Sequence, residues 1–253
     1  MEFNKEFTAG IIIIGNEILS GRTVDKNTSF IAMWLSDRGI SVEEVRVIPD
    51  KKEAIIKTVN DLRKKFAYVF TTGGIGPTHD DITAECVSKV FNQRYQYHPE
   101  AYKILKEFYR NQEFNDGRKK MAKMPEHAKL IPNPKTFAAG FYVENVFVLP
   151  GVPEILQAML PLLDKNIKIG KKILSVSIDS KLRESSLAND LSTIQDRFKT
   201  VDIGSYPYFK DKPGTILVLR SVNKIDIEIC EKEVRDLITK LSKEWKNFYR
   251  IFL

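Results

Sequence analysis

The sequence predicts a three-layer α/β domain built on a parallel sheet, followed by a smaller α+β domain. Strand and helix signals alternate through the first half, and their order changes beyond about residue 169. Between the two regimes lies a polar stretch without periodicity, DKNIKIGKK at 164–172. These observations set domains at 1–168 and 169–253.

Taken in order, Thr8–Ile14 is a continuous β-branched run, as expected of a strand buried on both faces of a parallel sheet. The loop GNEILSGRTVDKN leads to an amphipathic helix over Ser29–Arg38, with Asp25, Asn27 and Thr28 as capping candidates and Gly39 as its stop. Ile40–Ile48 alternates as a strand, Lys52–Lys65 reads as a helix, Ala67–Thr71 as the next strand and Ile82–Phe91 as a short helix. Right-handed crossovers then place the loops at 15–27, 49–51 and 72–81 at one edge of the sheet, where ligands of such folds bind. Residues 98–124 read as a lysine-rich helical cap, Phe141–Leu149 as two short strands around Glu144-Asn145, and LPGVP (149–153) as a turn before a helix reaching Leu163. Beyond the polar stretch come a strand at Ile173–Ile178, a helix at Glu184–Phe198, and strands at Val201–Ser205 and Thr215–Val222. A long helix follows at Ile225–Trp245, with a closing strand in FYRIFL. That β-α-β-β-α-β order is the split-βαβ, ferredoxin-like pattern.

The 253 residues are 43% hydrophobic and 29% charged, the balance of an ordinary soluble globular protein. The net charge of +7 suits phosphorylated small molecules. Its densest basic stretch, Lys103–Lys135, lacks any nucleic-acid-binding pattern and reads as a solvated helical face. The two cysteines, Cys86 and Cys230, form no C-x-x-C, which points away from zinc or disulfide frameworks and toward a reducing compartment. No signal peptide is apparent, and AGIIIIG is too short to span a bilayer, so a cytoplasmic protein without a membrane partner is expected.

The chemistry concentrates in TTGGIGPTHDDIT, residues 71–83. It follows a strand and precedes a helix, the context a phosphate loop requires, though it is neither a Walker A nor a G-x-G-x-x-G sequence. Gly73, Gly74 and Gly76 let the backbone approach an anion closely. Thr78-x-x-Asp81 also reads as a capping box, which needs one acid. Here Asp80 and Asp81 stand together, and two carboxylates beside a phosphate repel it unless a divalent cation lies between. Alternatively, one accepts hydrogen bonds from a base or ribose. Asp50, Glu17 and Asp25 belong to the adjoining loops. His79 is a phosphate donor, a metal ligand or a solvent-facing residue, whereas His98 and His127 read as structural. Tyr206 and Tyr208 read as packing between the domains, with stacking on a base as the alternative; Cys86 reads as core, and Glu184 as part of a helix cap rather than as a residue approaching the ligand from the second domain.

GNEIL (15–19) with Asp25 and Asn27, Pro49-Asp50, TTGGIGPTHDDIT and LPGVP occur together in an order that resembles the MoaB/Mog molybdopterin-binding superfamily. Within it the sequence is most similar to the CinA N-terminal and FAD synthase N-terminal subgroup. The resemblance covers most of residues 8–163 and continues in LRESS (182–186) and GSYP (204–207). It implies a molybdopterin-binding-like fold in the first domain. It assigns phosphate or pterin binding to Thr72, Gly73, Gly74 and Gly76, functional importance to Asp81 and Asp50, and metal-side roles to Asp80, Asp81 and Glu17. Gly15, Asn16, Glu17 and Asp25 complete the expected ligand-binding set, and Asp81, Asp50 and Asp80 the expected catalytic one. The subgroup implies metal-dependent cleavage of nucleotide pyrophosphates such as ADP-ribose or FAD, with Mg²⁺, Mn²⁺ or Co²⁺. The alternative is a non-catalytic molybdopterin-binding protein linked to molybdenum cofactor biosynthesis. A homo-oligomer, dimer or trimer, is expected either way. Ile155 stands where CinA proteins usually carry a glutamate, with Glu154 beside it, which weakens any role for that acid. The sequence ends at Leu253 without the deamidase domain of full-length CinA or the adenylyltransferase domain of FAD synthase, so neither activity is expected.

Overall fold

The computed structural model describes residues 7–209 and 212–252, with side chains through Lys243. One compact unit ends at Gly170 and the other begins at Lys171. No helix among the described residues is long and apolar enough to cross a membrane.

In the first unit the elements run β1 (Thr8–Ile14), α1 (Asn16–Leu19), α2 (Asn27–Ser36), β2 (Ser41–Ile48), α3 (Lys52–Lys65), β3 (Tyr68–Thr72) and α4 (Thr83–Val90). Then come β4 (Tyr95–Tyr97), α5 (Pro99–Phe108), α6 (Asp116–Lys120), β5 (Lys123–Pro125), β6 (Lys129–Ile131), β7 (Gly140–Val143), β8 (Val146–Leu149) and α7 (Pro153–Met159). The main sheet has the order β2-β1-β3-β8-β7-β6. Its first four strands are parallel, whereas β7 and β6 pair antiparallel.

The period of two along β1 divides the core. Ile11 and Ile13 pack with Ile31, Trp34 and Leu35 of α2 and with Leu156 and Met159 of α7. Ile12 and Ile14 pack with Ile55, Val59 and Leu62 of α3 and Val87 of α4 on the opposite face. Three layers result, as the continuous apolar run of β1 predicts. The chain leaves β1 toward β2 on one side and returns to β3 on the other, so the carboxyl ends of β1 and β3 form a topological switch point.

Two sequence expectations need correction here. The cap over 98–124 is only partly helical: α5 starts at Pro99, with Ala101 N–H donating to His98 Nδ1 at 3.4 Å, and the stretch ends in β5, which pairs with β4. The expected helix through Leu163 changes at Leu160 into a 3₁₀ turn, one residue before Pro161, whose missing N–H cannot continue the α-helical ladder.

The second unit contains β9 (Leu174–Asp179), α8 (Ala188–Arg197), β10 (Asp202–Phe209), β11 (Pro213–Ser221) and α9 (Lys224–Phe252). Its antiparallel sheet has the order β10-β11-β9. Ile178, Leu217 and Leu219 face Leu191 and Ile194 of α8 and Ile227, Cys230 and Val234 of α9. The closing strand expected in FYRIFL is instead the last turns of α9 up to Phe252, Leu253 lying outside the described residues. No Gly or Pro interrupts the sequence from Lys224 onward, so nothing stops the helix there.

Candidate functional site

A cleft of about 660 Å³ opens at the carboxyl edge of the parallel sheet. The first loop, the loop after β2 and the glycine loop converge there, joined by the turn Pro150–Pro153. Physical ties hold them in register. Asn16 N–H donates to Asp50 Oδ2 at 2.8 Å, linking the first two loops. Asn27 Nδ2 donates at 2.8 Å both to Thr72 Oγ1 and to the Gly151 carbonyl, while Thr72 Oγ1 donates to the Pro150 carbonyl at 2.9 Å. Asn27 therefore fastens the start of α2 to the end of β3 and to the turn after β8.

The glycine loop departs from ordinary backbone at two points. Gly73 has φ +105°, and a Cβ there would lie 2.1 Å from the Ile14 carbonyl oxygen. Gly74 has φ +69°, and its Cβ would lie 2.2 Å from Thr83 Oγ1. Only glycine accommodates both the conformation and the approach. Thr83, fully buried at the start of α4, returns two hydrogen bonds to the loop. Its N–H donates to Gly74 O at 2.9 Å and its hydroxyl to Gly73 O at 3.0 Å.

The acidic end of the loop is organised by Thr78. Its N–H donates to Asp81 Oδ2 at 2.8 Å, and its hydroxyl lies 2.5 Å from Asp81 Oδ2 and 2.6 Å from Asp80 Oδ1. One hydroxyl carries one proton, so two carboxylates compete for it. The Thr78 hydroxyl nonetheless holds the Asp80 carboxyl below the usual carboxylate range. The capping-box reading of Thr78 and Asp81 is not how they function, because α4 begins only at Thr83. The pair closes a turn ahead of the helix. Lys120 Nζ donates to the Thr78 carbonyl from outside the loop.

The expected site residues separate into two groups. Glu17, Asp50, Gly73, Gly74, Gly76, Asp80 and Asp81 line the cleft together. Gly15, Asn16, Thr72 and Asp25 are not among its lining residues. Thr72 is buried with its hydroxyl engaged, and Asn16 holds Asp50. Gly15 leaves room for the Glu17 carboxylate, whose Oε1 would lie 2.5 Å from a Cβ there. Asp25 Oδ1 accepts from the N–H groups of Asn27 and Thr28, so its carboxylate caps α2. His79 is exposed and does not line the cleft.

Sequence reasoning missed further lining residues, among them Tyr109, Met121, Asn133, Thr136 and Ala138. Asn133 holds the last three together: its Oδ1 accepts from the N–H groups of Lys135 and Thr136, and its Nδ2 donates to Ala138 O. The only local signal was the N-P pair at 133–134, a turn former. The lining thus combines the glycine loop and four carboxylates with apolar and aromatic side chains such as Ile75, Tyr109 and Met121.

Residues 10–167 match the family described as "probable molybdopterin binding domain", more than half of the chain. The chain belongs to this molybdopterin-binding family. Residues 172–245 match a second description, "FAD synthase, middle domain". Among curated relatives of the family's members, a Pyrococcus abyssi protein is 35% identical over 245 residues, covering 89% of this chain and 94% of its own. An Archaeoglobus fulgidus protein is 33% identical over 208 residues, covering 82% and 87%. A solved structure, the protein CinA of unknown function from Thermoplasma acidophilum, superposes with a TM-score of 0.61 at 34% identity. It covers 64% of this chain and 99% of its own. The α/β fold expected from the motifs is therefore established, with a CinA-like molybdopterin-binding domain followed by a smaller antiparallel α+β domain that matches the FAD synthase middle domain.

Proposed function

We propose that the chain binds a phosphorylated pterin or nucleotide at the 72–81 loop and hydrolyses a nucleotide pyrophosphate of the ADP-ribose or FAD type with a divalent cation. The observation that carries this reading is the charge of the cleft. Among the described residues, its lining includes Glu17, Asp50, Asp80 and Asp81 and no lysine, arginine or histidine. Glycine N–H groups favour a phosphate, but four carboxylates repel it unless positive charge intervenes. The family descriptions support the ligand class, a pterin from the first domain's and a flavin nucleotide from the second's.

The donor set fits such a cation. Asp80 and Asp81 are hard oxygen ligands converging on a single hydroxyl. Among the described residues no three His, Cys, Asp or Glu side chains group to hold a metal, so the remaining ligands would be phosphate oxygens and water, as is usual for Mg²⁺. Asp80 and Asp81 would hold the ion, which when bound supplies charge neutralisation and a more acidic water. The protein's own groups do the rest. Gly73 N–H is engaged by the Leu149 carbonyl at 3.1 Å, so the N–H groups from Gly74 onward bind the phosphoryl oxygens on which charge develops. Asp50, with Oδ2 fixed by Asn16 N–H, keeps Oδ1 to accept the proton of an attacking water. Ile75, Tyr109 and Met121 receive the ring of the ligand. The protein works in this reading as a cytoplasmic homo-oligomer, dimer or trimer.

Turnover of ADP-ribose, FAD and other dinucleotides by the purified protein, with and without Mg²⁺, Mn²⁺ or Co²⁺, tests the proposal. No turnover under any metal, together with a copurifying pterin, would replace it with the non-catalytic molybdopterin-binding reading.

A further inference from the structure

The turn between β6 and β7, residues 132–139, contributes to the cleft and is strained at one point. Phe137 has φ +61°, and among the described residues it is the only aromatic one at positive φ. A bulky L-residue keeps that conformation only where its surroundings over-determine it. Glycine or asparagine would satisfy the backbone at lower cost. The reason for an aromatic ring at this position therefore lies outside the turn.

Two sets of contacts impose the conformation. Asn133 is 5% exposed, and its Nδ2 donates to Thr136 Oγ1 at 2.7 Å as well as to Ala138 O, while its carbonyl accepts from Phe137 N–H at 3.1 Å. The Phe137 ring packs on Phe108 at the end of α5, with centroids 4.9 Å apart, and Phe108 meets the Tyr109 ring edge-on at 4.8 Å. Arg118 lies over Tyr109, its Cζ 4.1 Å from the ring centroid. Phe137 thus fastens the turn to the end of α5 without lining the cleft itself, whereas Thr136, Ala138 and Tyr109 do line it. Thr136 Oγ1 is the acceptor for Asn133, which leaves its single O–H proton to be donated elsewhere.

We infer that this turn sets the specificity of the cleft for the heterocyclic end of its ligand. Thr136 donates a hydrogen bond to the ring, and Phe137 is the positioning residue that holds Thr136 and Tyr109 in place for it. This assignment rests on reading the cleft as a nucleotide site. A donor fixed before the ligand arrives loses little freedom on binding, which is what a strained but over-determined turn provides.

Isothermal titration calorimetry of the full chain with AMP, FMN and, as a ringless control, inorganic pyrophosphate, all with Mg²⁺, tests the assignment. For whichever of AMP and FMN the parent binds more tightly, Thr136→Val should weaken binding about fivefold, the worth of one neutral hydrogen bond. Thr136→Ser, which keeps the hydroxyl, should bind like the parent. Phe137→Gly, which relieves the backbone but removes the ring, should weaken the same nucleotide at least threefold, and Phe137→Tyr should not. The affinity for pyrophosphate should change less than twofold throughout. Hydrogen exchange of the Thr136 amide should be at least fivefold faster in Phe137→Gly than in the parent. Unchanged nucleotide affinity in Thr136→Val or Phe137→Gly, an equal loss for pyrophosphate, or unaltered Thr136 exchange would each overturn the inference and leave the proposed hydrolysis standing. A parent that binds pyrophosphate but neither nucleotide would overturn the nucleotide reading and the inference together.

Discussion

Asn27 and Thr72, 45 residues apart in sequence, are joined by a buried 2.8 Å hydrogen bond. The same amide nitrogen reaches Gly151 O, so one side chain ties together three loops that sequence separates widely. Asn27→Ala should cost about 2–3 kcal/mol, since two hydrogen bonds are lost from a buried site. Asn27→Asp should cost at least as much, because a carboxylate would face the Gly151 carbonyl in place of a donor. Urea unfolding monitored by circular dichroism measures both, and a change below 0.5 kcal/mol (about the scatter of ordinary surface substitutions) would deny Asn27 this role.

Asp81→Asn retains an oxygen to accept from Thr78 N–H, so the turn should survive. Metal-dependent turnover in the proposed reaction should nevertheless fall by roughly 100-fold, the scale of a lost catalytic carboxylate. Asp50→Asn should produce a comparable loss with metal affinity unchanged, because Asp50 acts there through its proton-accepting oxygen. Steady-state rates across a metal titration separate the two variants.

The two strained glycines differ in what they touch. Gly73→Ala would drive a methyl into the Ile14 main chain, whereas Gly74→Ala would meet the Thr83 side chain, which can shift only by giving up its hydrogen bond to Gly73 O. Both alanines also occupy positive φ, a cost of about 1–3 kcal/mol. Gly73→Ala should therefore lower the melting temperature more than Gly74→Ala, and the reverse order in a thermal melt would contradict the geometry.

Glu44 on β2 accepts from Lys65 Nζ at 2.7 Å and from Arg46 Nε at 2.6 Å, and these bonds hold its carboxyl below its ordinary value of 4.5. A depressed folded pKa gives stability that is present above the unfolded pKa and lost as pH falls through the folded one. Glu44→Gln should thus reduce stability at pH 7 and flatten its decline below about pH 4.5. Parallel curves for variant and parent across that window would remove Glu44 from the acid response.

Burial pushes the thiols of Cys86 and Cys230 up to about 11. Both side chains are in the cores. Neither should react appreciably with a disulfide reagent at pH 8 in the folded protein, and both should react in urea.

Much of this organisation was legible in the sequence because strong periodicity and loop punctuation coincided. The β-branched run of β1, the amphipathic α3 and the glycine loop each signalled their place locally, and βαβ handedness then brought Glu17, Asp50 and Asp81 to one edge. The strands β4, β5 and β6 escaped notice, since three residues show almost no period. Tyr109 and Met121 could not be assigned to the cleft from sequence, because they reach it from the segment beyond α4 through contacts that no local pattern encodes. Thr72 and Asp25 were read as ligand-facing for the opposite reason. They sit inside recognisable motifs, but the Thr72 hydroxyl is engaged by Asn27 and Pro150 O, and Asp25 Oδ1 by the first amides of α2.

The approach of Gly73 to Ile14 closes the crevice between β1 and β3 with main chain rather than side chains. The floor of the cleft is therefore chemically constant: exchanging neighbouring side chains cannot remove its amide groups. A change of ligand preference is therefore open to substitution at lining side chains such as Tyr109, Met121 and Ile155, and not at this stretch of main chain.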